Sequence, residues 1–550
     1  MDGTGVSPGA GRRWLRRPEV QPWALNLLVA IYLLATCNLT FWGKLAGILA
    51  DDPVSMAIVG LAAVSLTFLV VTLPAVRRLQ RPVLAFLVIL ASVTSFYQDR
   101  LGVMIDRDMV QNALTTTMNE GRHLVTAGFA LHFGLRAVPG LFLVFWPRLR
   151  RAPPLRAALG WAGLVLGAAA VTVGLLASDL KNLSTTLRGR RDLVGSLQPL
   201  APLTGTLRYI RMMTRAGTVT AQPFGRDAVK GALLAAESKP VLLVIVAGET
   251  ARAQNWSLGG YERDTNPELA RRDILYYSDV TSCASATATA LPCMFSPLTR
   301  SEYSYEAGLG TENLLDVLSH AGFHVEWWDN NTGDKHVADR LDVHMMDARD
   351  DAAACAAGEC TDAVFLPRLR ALVESMTQDT VVVLHQIGSH GPSYWLRYPP
   401  GDEVFTPACH TEELGDCTND EIVNAYDNTI RFTDRFLASV IDLLGASGRI
   451  VPAMIYVSDH GESLGEGGLY LHGAPWYMAP AEQVKVPMVL WLSPAFRATL
   501  GLDAGCLAAR RAEPLSHDNL FSTVLGLLDI DTSVRDAALD LSEGCRRLTG

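Results

Sequence analysis

Residues 240–250 read PVLLVIVAGET, eight apolar residues followed by a glycine, a glutamate and a threonine. A run that is apolar throughout is typical of a central parallel strand, because helices cover both faces of a parallel sheet. From residue 239 onward, similar short runs alternate with helical patterns, which predicts a mostly parallel α/β sheet. We therefore expect Glu249 to lie at the carboxyl end of a buried strand.

Polar residues follow three further apolar runs in this half of the chain. The runs cover residues 323–328, 380–384 and 452–458. The polar residues that follow them are Asn331, Lys335, His385, His390, Asp459, His460, Glu462 and His472. Ligands of open α/β sheets bind outside the carboxyl ends of the strands. We therefore expect these side chains to form one site together with Glu249.

A segment rich in small residues follows another predicted strand, at residues 274–280. It spans residues 281–296 and reads TSCASATATALPCMFS. Small residues allow the backbone to approach a ligand closely, and Thr287 presents a hydroxyl there. By itself the segment fits a disulfide-closed surface loop whose threonines cap a helix equally well. The polar groups elsewhere in the chain favour a catalytic hydroxyl.

The residue types at the predicted sheet edge suit a zinc site. Glu249, Asp459 and His460 offer three ligands, and Thr287 can complete a tetrahedral shell. Zinc lowers the pKa of a bound oxygen, which would activate a hydroxyl that is otherwise a poor nucleophile. The groups that could neutralise phosphoryl oxygens or protonate a leaving group are His390, His472 and Lys335.

The front of the chain is apolar and basic, whereas the remainder is polar and acidic. The apolar stretches lie at residues 22–43, 54–75, 82–97, 123–146 and 157–178. Most of them reach the ~20 residues that a bilayer core requires. Arginine clusters between the second and third stretches and between the fourth and fifth place the N-terminus in the cytoplasm. We therefore predict a five-helix transmembrane domain at 1–178, a juxtamembrane connector at 179–235 and an extracytoplasmic catalytic domain at 236–550.

Eight of the nine cysteines lie after residue 280, most of them in close pairs. They show no Cys-x-x-Cys or Cys-x-x-His spacing, so they are typical of disulfides in an oxidising compartment rather than of a zinc site. This places the catalytic domain on the same side of the membrane as the arginine pattern does.

The predicted extracytoplasmic loop at residues 98–122 contains Asn112, Thr116 and Glu120, which recur every four residues. On one helix they would share a polar face. That face could hold a lipid headgroup, with Glu120 as the counter-charge. A solvated interfacial helix explains the same spacing.

Motifs along nearly the whole chain match one enzyme family. They are the pattern of Asn112, Thr116 and Glu120, then Gly248–Arg252, Cys283–Ser296, Asn330-Asn331 with Lys335, His385–Pro392, Tyr426–Thr429, Ser458–Glu462 and His472. In these motifs the chain resembles the phosphoethanolamine transferases of the Gram-negative inner membrane. The resemblance is to the lipid A type in particular, which includes the mobile colistin-resistance enzymes.

The resemblance implies an α/β catalytic domain of the alkaline phosphatase or sulfatase type behind five transmembrane helices. Thr287 would be the nucleophile and, with Glu249, Asp459 and His460, a zinc ligand. One zinc ion would bind tightly and a second more weakly. The residues implied to contact the substrate are Asn112, Thr116, Glu120, Asn331, Lys335, His390, Glu462 and His472. The implied disulfides are Cys283–Cys293, Cys355–Cys360 and Cys409–Cys417; Cys506 and Cys545, which depart from the family pattern, are expected to pair with each other.

The expected reaction moves phosphoethanolamine from phosphatidylethanolamine to a lipid A phosphate through a covalent intermediate on Thr287. The expected protein is a monomer of the bacterial inner membrane that binds membrane lipids but no nucleic acid, with its catalytic domain in the periplasm and a role in polymyxin resistance. Related acceptors remain open, namely core sugars, glucans and glycerol-phosphate polymers. A sulfatase that carries formylglycine is disfavoured because Cys-x-Pro-x-Arg is missing. A membrane sensor or scaffold without catalysis would not need the complete ligand set.

Overall fold

The computed structural model describes residues 17–76, 78–116, 118–150, 152–187, 190–356 and 358–546. The chain divides into two compact units. The first unit comprises the residues up to 106 together with 127–205, and the second comprises 107–126 together with the residues from 206 onward. The domain boundaries expected at residues 178 and 235 stay predictions.

The helices of the described residues are α1 (Pro22–Thr36), α2 (Leu39–Ile48), α3 (Pro53–Thr72), α4 (Gln80–Leu101), α5 (Arg107–Thr115), α6 (Met118–His123), α7 (Ala127–Phe145), α8 (Pro154–Ser178), α9 (Leu180–Thr186), α10 (Arg191–Val194), α11 (Leu200–Ala216), α12 (Ala232–Ala235), α13 (Thr287–Met294), α14 (Tyr305–Leu309), α15 (Leu314–His320), α16 (Phe365–Ser375), α17 (Asn419–Gly445), α18 (Ala481–Val484), α19 (Pro494–Thr499), α20 (Ala504–Ala509) and α21 (Asp518–Leu527). The strands are β1 (Glu19–Val20), β2 (Arg148–Leu149), β3 (Val229–Lys230), β4 (Val241–Gly248), β5 (Leu275–Thr281), β6 (His324–Asp329), β7 (Asp342–Met345), β8 (Cys355–Ala356), β9 (Glu359–Cys360), β10 (Thr380–His385), β11 (Val451–Ser458), β12 (Ser463–Leu464), β13 (Tyr470–Leu471), β14 (Lys485–Leu492), β15 (Leu515–Ser516) and β16 (Ile530–Asp531).

The first unit contains helices long and apolar enough to cross a membrane. Among the described residues these are α3, α4, α7 and α8, and the bent pair of α1 and α2 makes a fifth span if it is counted as one. The third span is longer than the sequence pattern predicted, since α4 covers residues 80–101. A five-span transmembrane region agrees with the prediction from hydropathy.

The first predicted span is not one straight helix, because α1 and α2 meet at an angle of 69°. Asn38 explains the bend. Its buried side-chain amide donates to the carbonyl oxygens of Leu33 and Gln198, and its Oδ1 accepts from the backbone N–H of Gln198. A side chain that bonds the backbone in this way competes with the helical hydrogen bonds, so the helix breaks at this residue.

The second unit is built on an eight-stranded sheet in the order β15-β5-β14-β11-β4-β10-β6-β7. Strands β11, β4, β10, β6 and β7 are mutually parallel, as the apolar runs predicted, whereas β14 is antiparallel to both β11 and β5. Alternate residues of β4 face opposite layers. Val241, Leu243 and Ile245 pack with α13, α15 and α21, and the intervening residues pack with α16 and α17. The centre of the sheet is therefore buried on both faces.

The strand register aligns the carboxyl ends of the central strands. His385 of β10 pairs with Ala247 of β4 and with Asp329 of β6. Ser458 of β11 pairs with Gly248 of β4. Residues that follow these four strands therefore emerge side by side at one edge of the sheet.

The loop that carries Asn112 and Thr116 differs from the prediction of one continuous helix. Helix α5 ends at Thr115 and α6 begins at Met118. The hydroxyls of Thr115 and Thr116 donate to backbone carbonyls one turn earlier, which weakens the helix at that point. Thr117 and the side chain of Glu120 lie outside the described residues, so the shared polar face stays a prediction.

The structure contains four disulfides, which join the pairs that the resemblance and the remaining cysteines implied. They are Cys283–Cys293, Cys355–Cys360, Cys409–Cys417 and Cys506–Cys545. All four lie in the second unit, whereas the buried Cys37 of the first unit is free.

The turn after β11 depends on a glycine. A Cβ at Gly461 would overlap the carbonyl oxygen of Glu482 and lie 3.0 Å from Cβ of Arg252. The backbone N–H of Gly461 also donates to the carbonyl oxygen of Gln483 at 3.0 Å. Because the obstacle is backbone, it cannot swing aside as the end of a flexible side chain would.

We expect Gly461→Ala to lower the free energy of unfolding of the second unit by about 1–3 kcal/mol, the usual cost of overpacking. Thermal unfolding of the full-length protein measures this effect. Gly401→Ala is the matched control, since a Cβ there would meet nothing within 4 Å. Equal unfolding temperatures for the two variants would show that the turn relaxes without cost.

Candidate active site

Three buried side chains meet at the carboxyl ends of β4 and β11. They are Glu249, Asp459 and His460, and one ligand atom of each lies within 4.8 Å of those of the other two. Nε2 of His460 lies 3.4 Å from Oε1 of Glu249 and 3.5 Å from Oδ2 of Asp459. The strand register produces this cluster, because β4 and β11 are direct neighbours.

Thr287 brings its hydroxyl to the same cluster. It is the first residue of α13, which follows the end of β5 on a loop tied by the Cys283–Cys293 disulfide. Its Oγ1 lies 3.1 and 3.2 Å from the carboxylate oxygens of Glu249 and 3.1 Å from Nε2 of His460. The structure thus brings together the four residues that the sequence predicted as ligands.

The cluster contains more hydrogen-bond acceptors than hydrogen-bond donors. Nδ1 of His460 faces the carbonyl oxygen of Gly461 at 2.8 Å and must donate to it, which leaves a lone pair on Nε2. Oδ2 of Asp459 is buried and has no hydrogen-bond partner among the described residues. The hydroxyl proton of Thr287 is shared between two acceptors. A metal cation bound among these atoms would satisfy all of them, so the residues fit a metal site.

Burial sets the electrostatics of this cluster. It raises the pKa of the Asp459 carboxyl and lowers the pKa of the His460 imidazole well below its usual value. Both shifts have the same cause, since the charged form of each group loses its hydration. A bound cation would oppose the shift of the carboxyl by stabilising its ionised form.

Asn331 and His385 lie next to the carboxylate of Glu249. Nδ2 of Asn331 donates to Oε2 of Glu249 at 2.7 Å and to the carbonyl oxygen of Gln386 at 2.9 Å. Nδ1 of His385 lies 2.7 Å from Oδ2 of Asp329, and its Nε2 lies 4.0 Å from Oε2 of Glu249. Although burial acts to raise it, the pKa of Asp329 is held at about 2 by His385.

Two further histidines lie beside the cluster. The ring centroid of His472 is 4.5 Å from that of His460 and 5.3 Å from that of His390. Glu462 orients His472, since its Oε2 lies 2.8 Å from Nδ1 of the ring, and its Oε1 accepts from the Tyr394 hydroxyl at 2.7 Å. His472 therefore directs Nε2, and not Nδ1, away from this carboxylate.

The remaining predicted residues lie on the loop after β6 and at helix α5. Nζ of Lys335 donates to the carbonyl oxygen of Thr332, on the loop that also carries Asn331. Asn112 lies on α5 next to the segment that follows His472, because a Cβ at Gly473 would be 3.6 Å from Nδ2 of Asn112. Thr116 follows at the end of the same helix.

The sequence reasoning assigned no role to four residues that shape the site. His385 was expected at this edge of the sheet, and Asp329 and Tyr394 belong to or adjoin the motifs, but none of the three was given a function. The fourth is His517, whose Nδ1 accepts from the backbone N–H of Cys283 while its Nε2 donates to the carbonyl oxygen of Ser458. His517 thus links the Thr287 loop to β11, and no local pattern in the sequence indicated it.

Comparison with known proteins places the chain in a family. A model described as Sulfatase matches residues 242–530, and one described as Phosphoethanolamine transferase EptA/EptB matches residues 63–213. The chain is 35% identical to phosphoethanolamine transferase EptA of Escherichia coli K12, which covers 98% of this chain and 100% of the relative. It is also 35% identical to phosphatidylethanolamine transferase Mcr-1 of Escherichia coli, over 94% of this chain and 96% of the relative.

A solved structure agrees with this placement. It is the integral membrane lipooligosaccharide phosphoethanolamine transferase A of Neisseria meningitidis, with a TM-score of 0.92, 30% identity, and coverage of 96% of this chain and 100% of that chain. The chain is therefore a membrane protein of the lipid A phosphoethanolamine transferase family, with a sulfatase-like catalytic domain and phosphoethanolamine transferase function.

Proposed function

We propose that this enzyme takes phosphoethanolamine from phosphatidylethanolamine, holds it on Thr287 and passes it to a phosphate of lipid A. The observation that carries the proposal is the position of Oγ1 of Thr287, 3.1–3.2 Å from Glu249 and His460 at the start of α13. The backbone N–H groups of a helix's first turn favour negative charge, so a phosphoryl group on Thr287 would lie in a favourable field.

The metal is proposed to be zinc, held by Glu249, Thr287, Asp459 and His460. Two carboxylates, an imidazole and a hydroxyl are ligands that zinc accepts in tetrahedral sites. When bound, zinc would lower the pKa of the hydroxyl so that its proton passes to solvent before the attack. A second, weaker zinc ion is proposed near His390 and His472.

The first half-reaction follows from these positions. Oγ1 of Thr287 forms a bond to the phosphorus of phosphatidylethanolamine, and the bond from phosphorus to the diacylglycerol oxygen breaks. His472 is the proposed acid, since Glu462 holds its Nδ1 and leaves Nε2 to give a proton to the departing diacylglycerol oxygen. Asn331, Lys335 and His390 are proposed to bind the phosphoryl oxygens.

In the second half-reaction Thr287 is the leaving group and His472 is the base. A phosphate oxygen of lipid A attacks the same phosphorus, and the bond from phosphorus to Thr287 breaks. His472 regains a proton from the attacking phosphate, which restores both the acid and the nucleophile. Asn112, Thr116 and Glu120 are proposed to bind the ethanolamine headgroup. In this proposal the enzyme is a monomer of the bacterial inner membrane whose catalytic domain lies in the periplasm.

We expect Thr287→Ala to reduce phosphoethanolamine transfer by at least about a thousandfold, because the covalent step has no other nucleophile. The full-length protein incubated with phosphatidylethanolamine and analysed by intact mass would carry one phosphoethanolamine adduct, which the variant lacks. Thr289→Ala is the matched control two residues later. Near-normal transfer by Thr287→Ala would assign the nucleophile elsewhere.

Metal analysis tests the proposed ligands. Purified full-length protein is expected to retain about one zinc ion after extensive dialysis, and the double variant Glu249→Ala, Asp459→Ala is expected to retain less than a tenth of that amount. The control double variant Asp347→Ala, Asp442→Ala removes two carboxylates from exposed ion pairs. Zinc retention by the first double variant at the level of the control would contradict this ligand set.

The acceptor is tested in cells. Mass spectrometry of membrane glycolipids is expected to show lipid A heavier by one phosphoethanolamine group when the protein is expressed, and unmodified lipid A with Thr287→Ala. Polymyxin tolerance should rise in parallel, since the added group makes the outer leaflet less negative. Modification confined to core sugars or glucans would retain the transferase function and replace the proposed acceptor.

A further inference from the structure

His123 ends the loop that carries the proposed headgroup residues. It is the last residue of α6, and 8% of its surface is exposed. Its Nε2 lies 2.9 Å from Oε1 of Glu359, and its Nδ1 lies 3.1 Å from Oε1 of Glu412. Residues 107–126 and both glutamates belong to the second unit. Both ring nitrogens of His123 therefore lie within hydrogen-bond distance of a carboxylate oxygen, so the ring bridges the two glutamates.

Both carboxylates lie on short loops closed by disulfides. Glu359 opens β9, which pairs with β8, and the Cys355–Cys360 bond closes this hairpin. Glu412 lies between Cys409 and Cys417, which form a bond of their own. A disulfide across a short loop restricts the backbone between its ends. The two partners of His123 are therefore held in place before the loop contacts them.

Glu359 also connects His123 with the candidate active site. Its Oε2 accepts from Arg397 at 2.8 Å, and Nε of Arg397 donates to the backbone carbonyl of His390 at 2.9 Å. Arg397 is almost fully buried, with 3% exposure. Although burial acts to raise it, the pKa of Glu359 is held below its usual value by Arg397 and His123. A continuous row of polar contacts thus runs from α6 to His390.

The other end of the loop also meets the site. Helix α5 lies against Gly473, since a Cβ there would be 2.8 Å from Cε of Met109 and 3.6 Å from Nδ2 of Asn112. Gly473 directly follows His472, and its N–H donates to the carbonyl oxygen of Ser285 on the Thr287 loop. Residues 107–126, which carry Asn112, are therefore held at two places. Helix α5 packs against Gly473 near the start of the segment, and the His123 bridge holds its end.

We propose that His123 is a positioning residue that fixes the headgroup loop, residues 107–126, to the catalytic domain through Glu359 and Glu412. The inference rests on the proposed function, in which Asn112 binds the donor lipid. We expect the His123 bridge to act on lipid binding more than on the chemistry at phosphorus. His123 contacts neither Thr287 nor its three proposed co-ligands in the described contacts, and it reaches only the backbone of His390, through Glu359 and Arg397. The small disulfide loops contribute by holding the two carboxylates that receive the ring.

The test uses full-length protein in mixed micelles and two substrates. One is phosphatidylethanolamine, whose headgroup the loop is proposed to bind, and the other is a small soluble phosphodiester that lacks ethanolamine. His123→Ala is expected to raise KM for the lipid about tenfold and to leave kcat/KM for the soluble diester within twofold, since misplacement of a binding group affects the substrate that uses it. His123→Gln, which keeps one donor, is expected to lie between His123→Ala and wild type.

A double-mutant cycle and a control complete the experiment. Because His123 and Glu359 share one contact, His123→Ala combined with Glu359→Gln should raise KM by less than the product of their separate effects. His324→Ala is the matched control, since His324 contacts Glu326 at the same 2.9 Å but lies at the start of β6, the strand end remote from the site. His324→Ala is expected to leave KM for the lipid and kcat/KM for the soluble diester unchanged.

The outcomes separate the inference from the proposed function. If wild-type protein transfers no phosphoethanolamine from the lipid, the proposed function fails, and the inference that rests on it fails as well. Cleavage of the soluble diester would then be the one reaction left to measure. If wild type transfers the group and His123→Ala keeps its lipid KM within twofold, the bridge has no positioning role. Equal losses for both substrates would likewise overturn the inference, because they would show a general structural effect.

Discussion

Backbone hydrogen bonds among β6, β10, β4 and β11 hold Asp329, His385, Ala247 and Val457 in one row across the sheet. The side chains that follow cannot shift separately, because a slip of one residue would turn each to the opposite face. The interlocked apolar layers on both faces keep that register. The geometry of the candidate site is therefore a property of the whole core and not of the loops that carry its ligands.

This rigidity has an electrostatic consequence. Glu249, Asp459 and His460 are nearly or wholly buried, and the Thr287 hydroxyl contacts both Glu249 and His460. An acceptor cluster of this kind is costly without a cation, since each buried charge loses its hydration. The hydrogen bond from Asn331 and the tautomer of His460 compensate only in part. The residues that the fold brings together here therefore fit a metal ion.

Much of this arrangement could be predicted from the sequence, because its signals are local. An apolar run that ends in Gly248-Glu249-Thr250 specifies both a buried strand and the place where its polar group emerges. The bend at Asn38, the break after Thr115 and the bridge of His123 could not be predicted in that way. Asn38 and His123 depend on partners distant in sequence, namely Gln198 and Glu359. The break after Thr115 depends on which backbone carbonyls two threonine hydroxyls bond, which the spacing of polar residues does not indicate. Three of the cysteine pairs were implied by resemblance, since spacing alone leaves their connectivity open, and the fourth, Cys506–Cys545, joins the two cysteines that then remained.

The position of His517 in the chain has a consequence for biosynthesis. Its ring joins the N–H of Cys283 to the carbonyl oxygen of Ser458, and it follows β15, the edge strand beside β5. The loop that presents Thr287 therefore lacks one of its supports until the chain has been synthesised past residue 517. Until then the Thr287 hydroxyl is not held by all the contacts that place it beside Glu249 and His460.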